Sequence, residues 1–437
     1  MAAISLYIAF ATQSPALQTK MFCSFFFLKN IKAGTIKPAI FRFEKRQAFS
    51  MSKQILVTGG AGFVGSHLCD ELLAQGYRVR VLDVLSAQVH GAALGAALGS
   101  APDAALGAAQ RPDYLHPEVE LVAGDVCDAQ SIRRALQGVD AVYHLAAAVG
   151  VGQSMYQIAR YTEVNNMGTA VLLEALIEKP VERLVVASSM SIYGEGLYRD
   201  ADGQLVAGTE RPLSQLKDRD WEVRDSCNRV LDPVPTPEWK QPALASVYAL
   251  SKFDQERLCL LVGRAYGIST VALRFFNIYG TRQALSNPYT GVLAIFASRF
   301  LNDQAPLVNE DGHQKRDFVH VRDVARACRL ALETEQAAGQ VFNVGSGQPR
   351  SVLDVARDMA QAVGKTHIEP EITGKYRVGD IRHCYSDISL ARDVLGYLPQ
   401  VSWADGLSEL AQWLETQSAE DHVEGAAQEL AARGLTV

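Results

Sequence analysis

From Gln54 onward, the apolar positions of the chain fall into short continuous runs separated by longer stretches with helical spacing. Ile55-Leu56-Val57 leads into a helical stretch that reaches Leu73. Further apolar runs follow at Val79-Arg80-Val81-Leu82, Val119 to Val122, Ala141-Val142-Tyr143-His144-Leu145, Leu184 to Ala187, and Thr270 to Phe275. Continuous β-branched runs suit strands covered on both faces, and strands separated by helices imply parallel pairing through right-handed crossovers. The pattern therefore predicts a doubly wound α/β fold. Residues 52–276, with a return near 342–358, would form a parallel-sheet nucleotide-binding domain, and 277–416 a smaller C-terminal α/β substrate-binding lobe. Residues 417–437 read as an acidic, Ala-rich tail.

Three stretches depart from this alternation. Met1 to Ser50 carries seven Lys or Arg against the single acidic Glu44, and its apolar patch, Phe22 to Leu28, is too short to cross a bilayer. Met51 then opens Met-Ser-Lys-Gln-Ile-Leu-Val-Thr-Gly-Gly, an ordinary beginning for a compact nucleotide-binding domain. The preceding residues are accordingly read as lying outside the fold, with a transit or signal peptide as the alternative. Within 87–112, the repeats of Gly-Ala-Ala-Leu hold too few bulky side chains for a core layer and predict a surface loop. Residues 196–245 form a longer insertion, rich in Pro, Asp, Arg and Trp, expected to be a loop able to cover a substrate.

Composition narrows the partners. A 48% hydrophobic fraction, 21% charged residues and a net charge of −6 belong to a globular protein without the basic excess that nucleic-acid binding requires. The seven cysteines stand singly, with no zinc-knuckle or dithiol spacing, so no metal site is expected and a reducing cytoplasm is the simplest setting.

The chemistry starts at the first strand end. Thr58-Gly59-Gly60-Ala61-Gly62-Phe63-Val64-Gly65 leaves that strand and opens the first helix. Glycines at 59, 62 and 65 permit a tight turn, close approach of a pyrophosphate and close helix packing, while the helix N-terminus offers N–H donors. Asp83, ending the second strand, can accept hydrogen bonds from an adenosine ribose and repel a 2′-phosphate, which favours NAD over NADP. Farther along, Tyr248-Ala-Leu-Ser-Lys252 sets a phenol and an ammonium one helical turn apart. The cation could there depress the phenol's pKa and make it a usable base.

The wide Gly-x-x-Gly-x-x-Gly spacing resembles the extended short-chain dehydrogenase family of nucleotide-sugar epimerases and dehydratases. Later motifs in the same order strengthen the resemblance, which covers residues 53 to about 416. It implies that Asp125 and Val126 lie beside the adenine, that Leu145, Ala146 and Ala147 pass under the cofactor, and that Asn165 lies near the nicotinamide ribose. Phe275 joins this cofactor set by the same likeness. In Ser188-Ser189-Met190-Ser191-Ile192-Tyr193-Gly194, the family register, a Ser or Thr four residues before Tyr-Gly, selects Ser189 as the partner of Tyr248 and Lys252. Dehydratases of the family carry an Asp-Glu pair beside that position. Met190 and Ser191 stand there in this chain, which points to epimerisation through bound NAD.

Arg274-Phe275-Phe276-Asn277-Ile278-Tyr279-Gly280 resembles a family segment whose asparagine binds the diphosphate of a nucleotide sugar. Arg316, in Lys315-Arg316-Asp317-Phe318-Val319-His320, and Arg377 with Asp380 fit the remaining needs, guanidinium at phosphate and carboxylate at ribose. Cys384 stands four residues past Asp380, where relatives acting on UDP-glucose often carry a tyrosine. A homodimer, packed through the helices that begin near Thr162 and Val247, is a further family expectation. Three other readings stay open: a 4-epimerase acting on UDP-glucose or UDP-glucuronate, a 4-keto-sugar reductase that consumes cofactor, and a non-catalytic NAD-binding protein.

Overall fold

The computed structural model describes residues 53–91, 111–289, 291–377 and 379–436. The expectations for 1–51, and those for the low-complexity insert over 92–110, lie outside the described residues.

Seven strands form one parallel sheet: β1 (Gln54–Thr58), β2 (Arg78–Asp83), β3 (Glu120–Ala123), β4 (Ala141–His144), β5 (Arg183–Ser189), β6 (Ser269–Phe275) and β7 (Val341–Val344). Their spatial order is β7-β6-β5-β4-β1-β2-β3. Each apolar run read from the sequence lies on one of these strands. Ile55, Leu56 and Val57 are fully buried, as continuous runs must be when helices cover both faces. On one face, α1 (Phe63–Ala74) packs with a later helix, Val321–Glu333, through Leu68, Leu72, Val324 and Cys328. On the other, Ile132 of α2 (Ala129–Ala135), Leu172 and Leu176 of α3 (Gly168–Glu178) and Cys259 of α4 (Val247–Tyr266) meet Leu56, Val142 and Val186. Burial of each such aliphatic side chain contributes about 1.5–3 kcal/mol.

Strand order reverses between β1 and β4, so their C-terminal ends diverge and leave the crevice in which open α/β sheets bind ligands. Past β6, the chain builds the lobe. Short strands at Asn277–Tyr279, Lys315–His320, Pro349–Ser351 and His383–Cys384 join in a second sheet. Tyr279, Phe296, Phe300, Phe318, Met359 and Leu410 fill its core.

The insertion over 196–245 is more than a loop. Leu197–Arg199 pairs antiparallel with Leu205–Ala207 and with Asp232–Val234, over a small core of Tyr198, Val223 and Leu231. Charges fasten it to the lobe. Arg382, 1% exposed, is bound by Glu222 of the insertion and by Glu310 and Asp311 of the lobe, while Arg211 of the insertion reaches Glu310 at 2.8 Å. Glu195 accepts the Arg382 backbone N–H and the Tyr198 hydroxyl. A cluster of this kind is costly to assemble and costlier to break, because loss of one member strands a buried charge, typically at about 3–5 kcal/mol.

One member gives the cluster a pH signature. His383 Nδ1 accepts the Lys315 N–H, so its proton sits on Nε2 and is donated to Glu222. That hydrogen bond, reinforced by Arg382 against the opposing effect of burial, holds the Glu222 carboxyl at about 2. A depressed carboxyl stabilises the fold fully above its unfolded value of 4.5, and the contribution drains away as pH falls toward 2. Glu222→Gln should therefore melt below wild type at neutral pH, with a deficit that shrinks as pH drops through this window. A deficit independent of pH in acid thermal scans would contradict the assignment.

Candidate active site

The turn after β1 is shaped by close approach. Gly59 has φ +71°, and a Cβ there would lie 2.8 Å from the Ala146 nitrogen on the strand end opposite. A Cβ on Gly65 would stand 2.5 Å from the Gly59 oxygen and 2.5 Å from Gly60 Cα. Gly62 differs. Its φ is −73° and a Cβ would meet only the Gly59 oxygen, at 3.4 Å, so the protein's own packing does not require glycine there. Gly62 is the N-cap of α1, without a side-chain cap and with no acidic residue in the first turn, which leaves first-turn N–H groups, at Phe63 and Val64, for an anion. This cradle fits a dinucleotide pyrophosphate.

Asp83, ending β2, accepts the backbone N–H groups of Ala61 at 3.0 Å and Leu85 at 2.9 Å, so its carboxylate is held at the rim of the cradle. His90 approaches it at 3.7 Å, and Tyr114 bridges His90 and the Ala61 carbonyl. Neither neighbour was identified from sequence, because both flank the low-complexity insert, which gives no periodic signal. Asp125 is exposed and caps the Cys127 N–H, while Val126 is buried beneath it. Leu145, Ala146 and Ala147 are half-buried at the end of β4, and Phe275 is half-buried at the end of β6.

Asn165 corrects an expectation. It is fully buried, its amide oxygen accepts the Ala148 N–H at 2.7 Å, and its nitrogen serves the Ala148 carbonyl and Ser251 Oγ. It shows no surface to a ligand and instead ties the loop beyond Ala147 to α4.

The expected catalytic residues lie at the end of β5, Ser189, and on the first turns of α4, Tyr248 and Lys252. Ser189, closing β5, receives the Ser191 N–H at 3.1 Å and the Ser191 hydroxyl at 2.9 Å. Its own proton is thereby left for the Tyr248 phenol. Ser246 caps α4 by accepting the Ala249 N–H, which fixes Tyr248 in the first turn. Burial raises the Tyr248 pKa and the Ser189 hydrogen bond lowers it. Lys252 was expected to do the lowering, but its ammonium donates to Gln255 Oε1 at 2.6 Å. Burial brings Lys252 itself down to about 8. Met190 packs with Ile192, Tyr193, Phe276 and Cys384. Neither Met190 nor Ser191 offers a carboxyl group.

In the lobe, Asn277 keeps a buried amide oxygen without a hydrogen-bond partner. Arg316 is turned inward, donating to the backbone carbonyls of Lys315, Ile381 and Arg382, so most of its fork supports the chain. Arg377, 43% exposed, holds Asp380 at 2.9 Å. The tail crosses this pair. Thr436 bridges to Arg377, and Leu430 of the helix Val423–Ala432 lies against Gly152. Leu430 and Leu435 line a small cavity there with Val151, Met155, Arg377 and Asp380. Among the described residues no cluster of His, Cys, Asp or Glu is placed to hold a metal, and no helix is long and apolar enough to cross a membrane.

Cradle, switch point and Ser-Tyr-Lys centre define a dinucleotide-binding Rossmann protein equipped for proton transfer. Residues 55–215 and 231–345 match the NAD dependent epimerase/dehydratase family, and the chain belongs to that family: it is an NAD-dependent enzyme of the epimerase class. It is 36% identical, over 83% of its length and 95% of the relative's, to a dTDP-L-rhamnose 4-epimerase of Burkholderia thailandensis. The Thermotoga maritima UDP-glucose 4-epimerase, solved with UDP-glucose, superposes with a TM-score of 0.64 at 29% identity, covering 83% of this chain and 98% of that one. For the Bacillus cereus UDP-glucuronic acid 4-epimerase, solved with UDP-glucuronic acid and NAD, the TM-score is 0.65 at 28% identity, with 83% and 99% covered.

The glycines separate fold from ligand. Gly62→Ala should keep its melting temperature, costing under about 1 kcal/mol, while NAD affinity falls at least tenfold. Gly65→Ala should lose both, through backbone overlap. Equal NAD affinity for Gly62→Ala and wild type, by titration calorimetry, would mean the pyrophosphate lies elsewhere.

Proposed function

We propose that the chain is a nucleotide-sugar 4-epimerase that inverts C4 through a transient 4-keto sugar, with dTDP-L-rhamnose as substrate. The observation that carries the reaction type is the pair beside Ser189. Met190 is spent on an apolar cluster and Ser191 on orienting Ser189, so the centre has one proton acceptor, Tyr248, and lacks the carboxylic acid and base that expelling water would require.

In this reading the sugar O4 comes between Ser189 and Tyr248 and receives the Ser189 proton in place of the phenol, while Tyr248 takes the O4 proton and later returns it. Lys252 keeps positive charge below the phenolate and reaches the nicotinamide ribose. NAD, when bound, accepts the C4 hydride and gives it back to the opposite face. Asp83 holds the adenosine ribose, Gly59, Gly62, Gly65, Phe63 and Val64 cradle the pyrophosphate, Asp125 and Val126 border the adenine, and Leu145 to Ala147 and Phe275 floor the site. For the substrate, Asn277, whose side chain has an amide oxygen without a partner, would offer its amide N–H to the diphosphate. Arg377 and Asp380 take the nucleoside end once the tail moves aside, and Arg316 turns outward to join them.

The sugar rests on likeness. The segments Ala147 to Tyr156 and Val378 to Cys384 and the long 196–245 insertion resemble dTDP-L-rhamnose 4-epimerases, in accord with the Burkholderia relative. Cys384 is 1% exposed and packed beside Tyr193, so the wall of the sugar pocket there is small. Helices starting near Thr162 and Val247 would pair two copies, since Met167, Leu250 and Leu261 leave apolar surface exposed there.

Purified protein incubated with a panel of dTDP- and UDP-sugars, without added NADH, should convert dTDP-L-rhamnose to its C4 epimer by NMR. Tyr248→Phe should lower the rate by about 10²–10⁴-fold. Turnover of a UDP-sugar alone would reassign the substrate. Stoichiometric NADH oxidation, or near-full activity in Tyr248→Phe, would overturn the mechanism.

A further inference from the structure

Beneath the Tyr-Lys pair lies a polar network that the reaction as described does not use. Lys252 donates to Gln255 Oε1 at 2.6 Å. The Gln255 amide nitrogen donates to Thr169 Oγ1 at 2.9 Å. Thr169 gives its proton to the Asn165 carbonyl, so it faces both Gln255 and His144 Nε2 as an acceptor. His144, fully buried and held neutral by burial, has Nε2 2.9 Å from Thr169 Oγ1 and 3.3 Å from the Gln255 nitrogen, and Nδ1 2.8 Å from Thr58 Oγ1. Thr58 in turn receives the Ala146 N–H.

An ammonium cannot accept, so the Gln255 atom that meets Lys252 is the amide oxygen. With Thr169 consuming the Gln255 nitrogen, the amide cannot flip, and its oxygen is aimed at Lys252. Gln255 and Thr169 are completely buried, on α4 and α3, and His144 ends β4 beside the first glycine turn. Four elements thus fix one acceptor. The carboxylate next along α4, Glu256, is taken up by both nitrogens of an Arg274 fork and by Ser188. Lys252 therefore has a neutral acceptor in direct contact, although an anion sits one residue away.

We propose that Gln255, locked by Thr169 and His144, is the positioning residue that orients Lys252 and keeps its charge uncompensated for the cofactor ribose and the phenolate. A carboxylate in that place would bind the ammonium as an ion pair and hold it back. The amide anchors one N–H and leaves the other two, with the full charge, for the reacting side. Because Thr58 and Ala146 belong to the cofactor cradle, the network also links the glycine turn to the catalytic lysine. The inference rests on the reading of Tyr248 and Lys252 as the reacting pair.

The groups acting on Lys252 are Glu256 and Cys259 on its own helix and His144 from β4, with Tyr248 one helical turn before it on α4. His144 stays neutral above about 3, and burial raises the Cys259 thiol to about 12, so neither changes charge between pH 6 and 10. Glu256 stays paired with Arg274. Over that range Lys252 and Tyr248 are the groups left to titrate, and a loss of NAD affinity that persists in Tyr248→Phe reports Lys252.

The test measures NAD affinity of the full chain by calorimetry from about pH 6 to pH 10, beside the pH profile of epimerisation. Wild type should lose affinity above about pH 8. Gln255→Glu, nearly isosteric, should move that loss upward by about one pH unit or more and lower turnover at least tenfold. Thr169→Val, which frees the amide, should weaken NAD binding without the upward shift, and Thr169→Ser should restore wild-type behaviour. Melting curves identify any variant that fails to fold, and Thr169→Val against Thr169→Ser then decides the matter. Wild-type pH profiles for both Gln255→Glu and Thr169→Val would overturn the positioning role. Should Tyr248→Phe stay active, the catalytic reading falls instead, and the binding profiles still judge Gln255.

Discussion

Everything in the site depends on how closely two backbones meet at the divergence of β1 and β4. A Cβ on Gly59 would come within 2.8 Å of the Ala146 nitrogen, so only glycine lets the phosphate-binding turn rest against the strand that floors the site. The left-handed φ of Gly59 would add about 1–2 kcal/mol of strain for any other residue. That contact sets the height of the α1 N-terminus above β4. Ala146 is also hydrogen-bonded to Thr58, and Thr58 to His144, so the same crossing anchors the polar network under Lys252. Cofactor cradle and proton-transfer centre therefore share one mechanical origin.

The centre solves an electrostatic problem. A phenol that must accept a proton near neutrality is pushed the wrong way by burial, and Tyr248 is so pushed. One pKa unit is about 1.4 kcal/mol, so a positioned hydroxyl and a nearby ammonium are both needed to recover the shift. Ser189 supplies the first because two donors from Ser191 leave its proton no other direction. In the proposed mechanism the second comes from Lys252 once its charge faces the site, and the Arg274–Glu256 pair and the Gln255 amide leave that charge without a carboxylate in direct contact.

Sequence reasoning reached the fold almost entirely, and for a physical reason. Strands buried on both faces must be continuously apolar, and each run appears as such from Ile55 to Phe275. The glycine turn and the Tyr248-Lys252 spacing were equally legible, since both depend on local geometry. What escaped is what depends on long-range pairing. Asn165 matched a ligand position, yet its amide is consumed by Ala148 and Ser251, partners remote in sequence. Arg316 looked like a free guanidinium and is occupied by the carbonyls of 381 and 382. The charge cluster of Arg211, Glu222, Glu310 and Arg382 draws on four separate segments, none conspicuous alone, and it turns an expected loop into a folded insertion.

That cluster bears on why the substrate lobe can be shaped independently of the sheet. The insertion touches the sheet side through Glu195, directly after the Tyr193-Gly194 turn, and touches the lobe through Arg382 and His383, directly before Cys384. Both ends of this bracket abut the apolar group of Met190, Tyr193, Phe276 and Cys384 that walls the reacting centre. A buried ion network tolerates little displacement, because its charges lose more by separation than they gain from partial solvation. It therefore holds the Cys384 wall at a fixed distance from Ser189 whatever the sugar. On the proposed function, side-chain volume at positions such as 190 and 384 would then adjust which sugar fits, with the bracket left intact.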